Sequence, residues 1–222
     1  MRGVKQIILT VLAGLVVTAC RTSQTSDAAR IHAQKSTDLV AWLSWDRLPK
    51  DLQDHDPVFL ASVCDELVSR REVDFLLASL NASTNEHARE WLVSEVLYRI
   101  DDHRVSGAFT RCLSDKEDRE SYYVALYLAE RGDATALTTL NRHYFAYPVA
   151  SFEWASATEI FGKYKYIPAT TNLVDSLNAA SLNVSAAACN ALQEIFPDSP
   201  KHFGGPTEAR NYYIKRLRET PH

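Results

Sequence analysis

The chain has 222 residues, with 24 Lys+Arg against 28 Asp+Glu, a net charge of −4 and 46% hydrophobic side chains. That length and apolar content suffice for one domain with a real core. The acidic balance argues against nucleic acid, whose binding rests on cationic contacts to phosphate.

The N-terminus reads as an export signal. Arg2 and Lys5 form a cationic start, and Ile7 to Val17 is an apolar run broken only by Thr10, Ala13 and Gly14. The run falls well short of the about 20 residues that span a bilayer as a helix, so it is a signal core and not a permanent span. Small residues lead up to Cys20 in Val17-Thr18-Ala19-Cys20. This box resembles the lipobox of bacterial lipoproteins. The resemblance covers the first twenty residues and implies cleavage before Cys20, with lipid (diacylglyceryl and amide-linked palmitate) on that cysteine. Arg21 stands where an Asp would imply inner-membrane retention, so the outer membrane is the expected address, facing the periplasm.

Removing residues 1–19 takes away two basic residues and no acid, leaving 22 Lys+Arg against 28 Asp+Glu over Cys20 to His222. Residues 20–35 are polar and without apolar periodicity, which predicts a lipidated N-terminus and flexible tether. Residues 36–222 then form the folded domain. Within it, DLVAWLSWDRL (38–48) predicts a short amphipathic cap, with Trp42 or Trp45 covering the end of the first repeat.

The remaining periodicity is helical, and it repeats. Segments align on Leu67, Leu97, Leu128, Phe161 and Leu192, at intervals of 30, 31, 33 and 31 residues. Four positions earlier stand Val63, Val93, Val124, Ala157 and Ala188, on the same helical face. Three positions earlier stand Cys64, Ser94, Ala125, Thr158 and Cys189, all small, as close helix packing requires. Leu80, Phe109, Leu140 and Leu173 follow where a second helix would fold back. Turns are predicted near Arg70-Arg71, Asp101-Asp102, Gly132-Asp133 and Lys165-Tyr166. Asp56-Pro57 should open the first long helix, and Gly205-Pro206 a final one running through Leu217.

Hairpins of this kind cannot bury their apolar faces alone and stack on neighbours. VALYLAERGDATALTTL, Val124 to Leu140, resembles the short HEAT-like repeats. The resemblance covers roughly residues 58–217 and implies an all-α, right-handed α-solenoid of about five hairpins. An irregular helical bundle is the alternative.

Candidate chemistry is sparse. With Cys20 lipidated, Cys64, Cys112 and Cys189 remain, an odd number. In a linear stack Cys64 and Cys189 lie too far apart to bridge, so no disulfide between them is expected. Asp101, Asp102 and His103, and likewise His55 between two acids, lack the spacing that fixes a metal on one helical face. Acidic turns and caps explain them, and no metal or cofactor is expected. No nucleophile elbow or phosphate loop is present, and Glu117-Asp118 lies in a charged loop, so no enzyme is expected.

One cluster stands apart: Tyr144, Phe145, Tyr147, Phe152, Trp154, Phe161, Tyr164 and Tyr166 are 8 of the 22 aromatics. Phe161 anchors its repeat. Tyr144, Phe145, Tyr147, Trp154, Tyr164 and Tyr166 either fill a joint between repeats or form a partner-binding patch, since Tyr and Trp dominate interface energetics. The expectation for function is an outer-membrane-anchored scaffold that binds another envelope protein. An immunity protein neutralising a periplasmic toxin, and a small envelope hydrolase, are the alternatives.

Overall fold

The computed structural model describes residues 27–44, 47–48, 57–114, 118–145, 151–179 and 181–219. Every regular element among them is helical. The chain divides into two compact units, the first ending at Asp102 and the second starting at His103. Among the described residues no helix is long and apolar enough to cross a membrane.

The first unit contains α1 (27–33), α2 (Ser36–Trp42), α3 (Pro57–Arg70), α4 (Val73–Ala82) and α5 (Glu86–Trp91), then a π turn (Leu92–Val96) and a 3-10 turn (Leu97–Arg99). Val63, Cys64 and Leu67 are buried on α3, and Leu76 and Leu80 on α4. The turn joining these helices places Arg71 at φ 52, the left-handed conformation of a helix C-terminus. Trp42 packs on α3, its ring 5.9 Å from Phe59. Trp45 and Asp56 lie outside the described residues.

Two features depart from the sequence reading. Residues 27–33, expected to be tether, form a helix with Ile31 only 2% exposed. Arg70 at the end of α3 secures it. Its guanidinium donates to the carbonyls of His32 (3.2 Å) and Gln34 (2.9 Å), to the Ser36 hydroxyl (3.0 Å) and to Glu66 (2.9 Å). One large apolar residue among alanines sets no clear periodicity, and the long-range bonding to backbone is invisible in a local pattern. The other departure is the helix carrying Leu97, which is not a continuous α-helix. The Leu97 N–H reaches the carbonyl of Leu92, five residues back. Leu92, Val93, Val96 and Leu97 are all buried along this widened stretch.

The second unit runs through α6 (His103–Cys112), α7 (Arg119–Ala129), α8 (Ala134–Arg142), α9 (Phe152–Lys163), a 3-10 turn (Ile167–Ala169) leading into α10 (Thr170–Ser176), α11 (Leu182–Ile195) and α12 (Pro206–Glu219). Every residue of α7 from Ser121 to Ala129 is buried, the signature of a helix covered on all sides. Its neighbours are α6, α8 and α9, while α9 packs in turn on α11, and α11 on α10 and α12. Side-chain caps start three of these helices. Asp118 accepts from the Ser121 N–H, Asp133 from Ala136 and Ser151 from Trp154.

Turns repeat in register. Gly132 (φ 84) and Lys165 (φ 50) end α7 and α9 in the left-handed region. The next N–H, of Asp133 and Tyr166, bonds back to the anchor carbonyl of Leu128 (3.1 Å) and Phe161 (2.9 Å). That is the same helix-terminating motif twice. All five anchors, Leu67, Leu97, Leu128, Phe161 and Leu192, are buried, as are the apolar residues four positions before each.

Replacing Arg70 by Ala removes the donors that hold residues 32–36. The expected result is faster hydrogen exchange at the amides of α1 and α2 and a stability loss of about 1–3 kcal/mol. Unchanged exchange there would show that α1 is held by other means.

Candidate functional site

The aromatic cluster resolves into an interior and a rim. Tyr144 and Trp154 are 0% and 1% exposed. Their rings lie 5.8 Å apart, and Tyr144 is 5.6 Å from Phe161. Thr158 donates its hydroxyl proton to the Trp154 carbonyl (2.9 Å), so it accepts from the Tyr144 hydroxyl (2.7 Å). Burial pushes the Tyr144 phenol up to about 12. Both residues fill the joint between hairpins and do not present a contact surface. The reason is their size: each buries a large apolar area, and the tyrosine hydroxyl finds its partner inside.

Tyr164 and Tyr166 are half-buried and tie one hairpin to the preceding one. The Tyr164 hydroxyl donates to the Glu130 carbonyl (2.5 Å) at the C-terminal end of α7, where Lys163 also donates (3.3 Å). Its ring lies against Gly132, where a methyl group would sit 3.1 Å from Cε1. Tyr166 stacks on Phe161 (5.7 Å) and its hydroxyl pairs with Thr138 (3.0 Å). Among the described residues of the cluster only Phe145 is well exposed, at 49%; Ile167 of the 3-10 turn is likewise exposed, at 59%. Tyr147 and Cys20 lie outside the described residues.

Sequence reasoning missed the polar half of this joint. Tyr122 donates to the Glu153 carbonyl (3.1 Å) and Tyr123 to the Glu153 carboxylate (2.9 Å). Burial opposes ionisation of Glu153. The bond from its own N–H, with Tyr123, Ser151 and Arg119, outweighs this and holds the carboxyl below the ordinary range. On the following helices Asn172 donates to the carbonyl and side-chain oxygens of Asn141 (2.8 and 2.9 Å), and Asn141 donates to the Pro168 carbonyl. Asn141 and Asn172 are 31 residues apart. The interval between these two units is 33, from Leu128 to Phe161, so the asparagines do not share a repeat position and aligning the repeats would not have paired them.

A second site carries no sequence signal. Where α10 ends, α11, the 196–205 connection and the start of α12 enclose a recess of about 430 Å³. Leu177, Leu182, Ala186, Phe203, Pro206 and Ala209 supply its apolar wall, and Ser185, Cys189, Asn190, Gln193, Lys201 and His202 its polar side. The connection is held rigidly. Gln193 donates to the Pro200 carbonyl (2.8 Å), Gly204 N–H to Glu208 (2.6 Å) and Arg216 to Asp198 (2.7 Å). Phe203 packs on Tyr212 and Tyr213, at 5.5 and 5.8 Å. Burial raises the Cys189 thiol above its ordinary range, which disfavours the thiolate a nucleophile needs. Cys64, on α3, is likewise pushed up by burial, and none of Cys64, Cys112 and Cys189 is in a disulfide.

Gly132→Ala forces a side chain into left-handed backbone against Tyr164, and a loss of about 1–2 kcal/mol is expected in urea unfolding. No loss would mean the turn is not under this constraint. Glu153 gives a pH test. Its folded pKa is depressed, so its stabilisation is present above the ordinary value and is lost as pH falls through the lower folded one. The stability gap between wild type and Glu153→Gln should therefore narrow as pH drops from about 6 to about 3. A gap independent of pH would remove Glu153 from the joint's energetics.

No family model matches the chain, and neither a curated protein nor a solved structure matches it.

Proposed function

We propose that the chain is an outer-membrane-anchored periplasmic lipoprotein whose hairpins stack as a right-handed, HEAT-like α-solenoid and serve as a scaffold for another envelope protein. The address rests on the cationic, apolar and small-residue stretches that lead to Cys20. The architecture rests chiefly on one observation: α7, α9 and α11 pack in succession. The first two of these hairpins are stitched by bonds between residues about one repeat apart, such as Tyr122–Glu153, Glu130–Tyr164 and Asn141–Asn172. Successive units are therefore bonded directly to each other, as neighbours in a stack would be. A scaffold binds through what such a stack leaves outside, and Phe145 and Ile167 are large apolar side chains left there at 49% and 59% exposure.

Two measurements test the parts separately. Cells expressing the full chain and fed a clickable palmitate analogue should label it, and Cys20→Ser should abolish both label and membrane retention. Label that persists in Cys20→Ser would refute the anchor. A photo-crosslinking residue at position 145 or 167, in intact envelopes, should give a discrete adduct with another envelope protein. Adducts with solvent alone at both positions would move the contact surface elsewhere.

A further inference from the structure

The recess between α11 and α12 goes beyond the scaffold reading and does not depend on it. Its volume of about 430 Å³ falls within the range of small-molecule sites, about 300–1,000 Å³. Its charge is the informative property. The whole chain is net acidic, yet no Asp or Glu is among the lining residues, whereas Lys201 and His202 stand side by side there. Two nearby carboxylates are engaged elsewhere, Glu208 with the Gly204 N–H and Asp198 with Arg216. The lining also includes Leu177, Ala186, Phe203 and Leu182, and Leu182 is 74% exposed, a large side chain with most of its surface still in water. Burying it would add about 25 cal/mol for each Å² covered. One lysine beside one imidazole matches a single negative charge, and the apolar side chains of the same lining match an alkyl body.

We propose that this recess binds a monoanionic amphiphile of the fatty-carboxylate class. Its carboxylate sits at Lys201 and His202, and its chain lies along Leu177, Leu182, Ala186 and Phe203. Binding is non-covalent, so no bond is made or broken. Cys189 lies in the wall, partly exposed, and reports occupancy. Cys112 on α6, partly exposed but outside the recess, is the internal reference.

The test uses the full chain in lipid nanodiscs, with decanoate as the probe. Maleimide modification of Cys189 and Cys112 is followed by peptide mass spectrometry. Decanoate should slow modification of Cys189 and leave Cys112 unchanged, while decanol and a decylammonium salt should protect far less. Lys201→Glu, at an exposed position that leaves the packing intact, should raise the half-protecting decanoate concentration about fivefold, the upper range for an exposed ion pair. Ala186→Trp, which fills the recess, should abolish protection. Three results would overturn the proposal: no protection by decanoate, equal protection by decanol, or protection undiminished in Lys201→Glu. Stronger protection by a capped peptide ending in a free leucine carboxylate would also overturn it, by making the occupant a protein terminus.

Discussion

The second unit depends on how closely α9 and α11 approach. A methyl group placed on Gly162 would lie 3.0 Å from the Cα of Ala191 and 3.3 Å from its Cβ, so the two helices meet almost backbone to backbone. At that separation the anchors Phe161 and Leu192, one residue from each contact point, are driven fully into the interior. The neighbouring atom is helix backbone and cannot rotate away as a flexible side chain would. The helices therefore have little freedom to slide or rotate, and everything placed on their ends inherits that precision. Both the recess beside α11 and the aromatic joint at the two ends of α9 are positioned by it.

The joint shows why aromatic density does not by itself mark a binding surface. Tyr144 and Trp154 occupy volume that smaller residues would leave empty between α8 and α9. Tyr164 and Tyr166 use rings for packing and hydroxyls for bonds to the preceding hairpin. Arg131 is similarly engaged, its guanidinium 3.6 Å from the centre of the Tyr127 ring, a cation–π contact. Phe145 and Ile167 are instead left largely in water.

Much of the local structure was legible in the sequence because it follows from periodicity. The five anchors and the apolar residues four positions before each are interior, and helix starts at Asp133 and Pro206 fall where capping rules place them. The turns after Leu67, Leu128 and Phe161 lie where the interval set them. Two of them use Arg71 and Lys165 in left-handed backbone, a conformation that composition alone would reserve for glycine. The expectation about small residues was only partly right. Cys64, Ser94, Ala125 and Thr158 are buried, but the observed close approach uses Gly162, one position after its anchor. Thr158 instead serves as a hydrogen-bond relay for Tyr144. The helix at 27–33, the π turn and the recess were not legible, because each depends on partners distant in sequence. Arg70 is 38 residues from His32, and the walls of the recess extend from Leu177 to Ala209.

The most direct test of this account is the stability of Gly162→Val, measured by urea unfolding. Helix propensity alone favours the change, since glycine is the poorer helix former by a few tenths of a kcal/mol or more. The close approach of α9 to α11 predicts the opposite sign, a loss of about 1–3 kcal/mol from overpacking against fixed backbone. A variant as stable as wild type, or more stable, would contradict the claim that this contact sets the spacing of the hairpins.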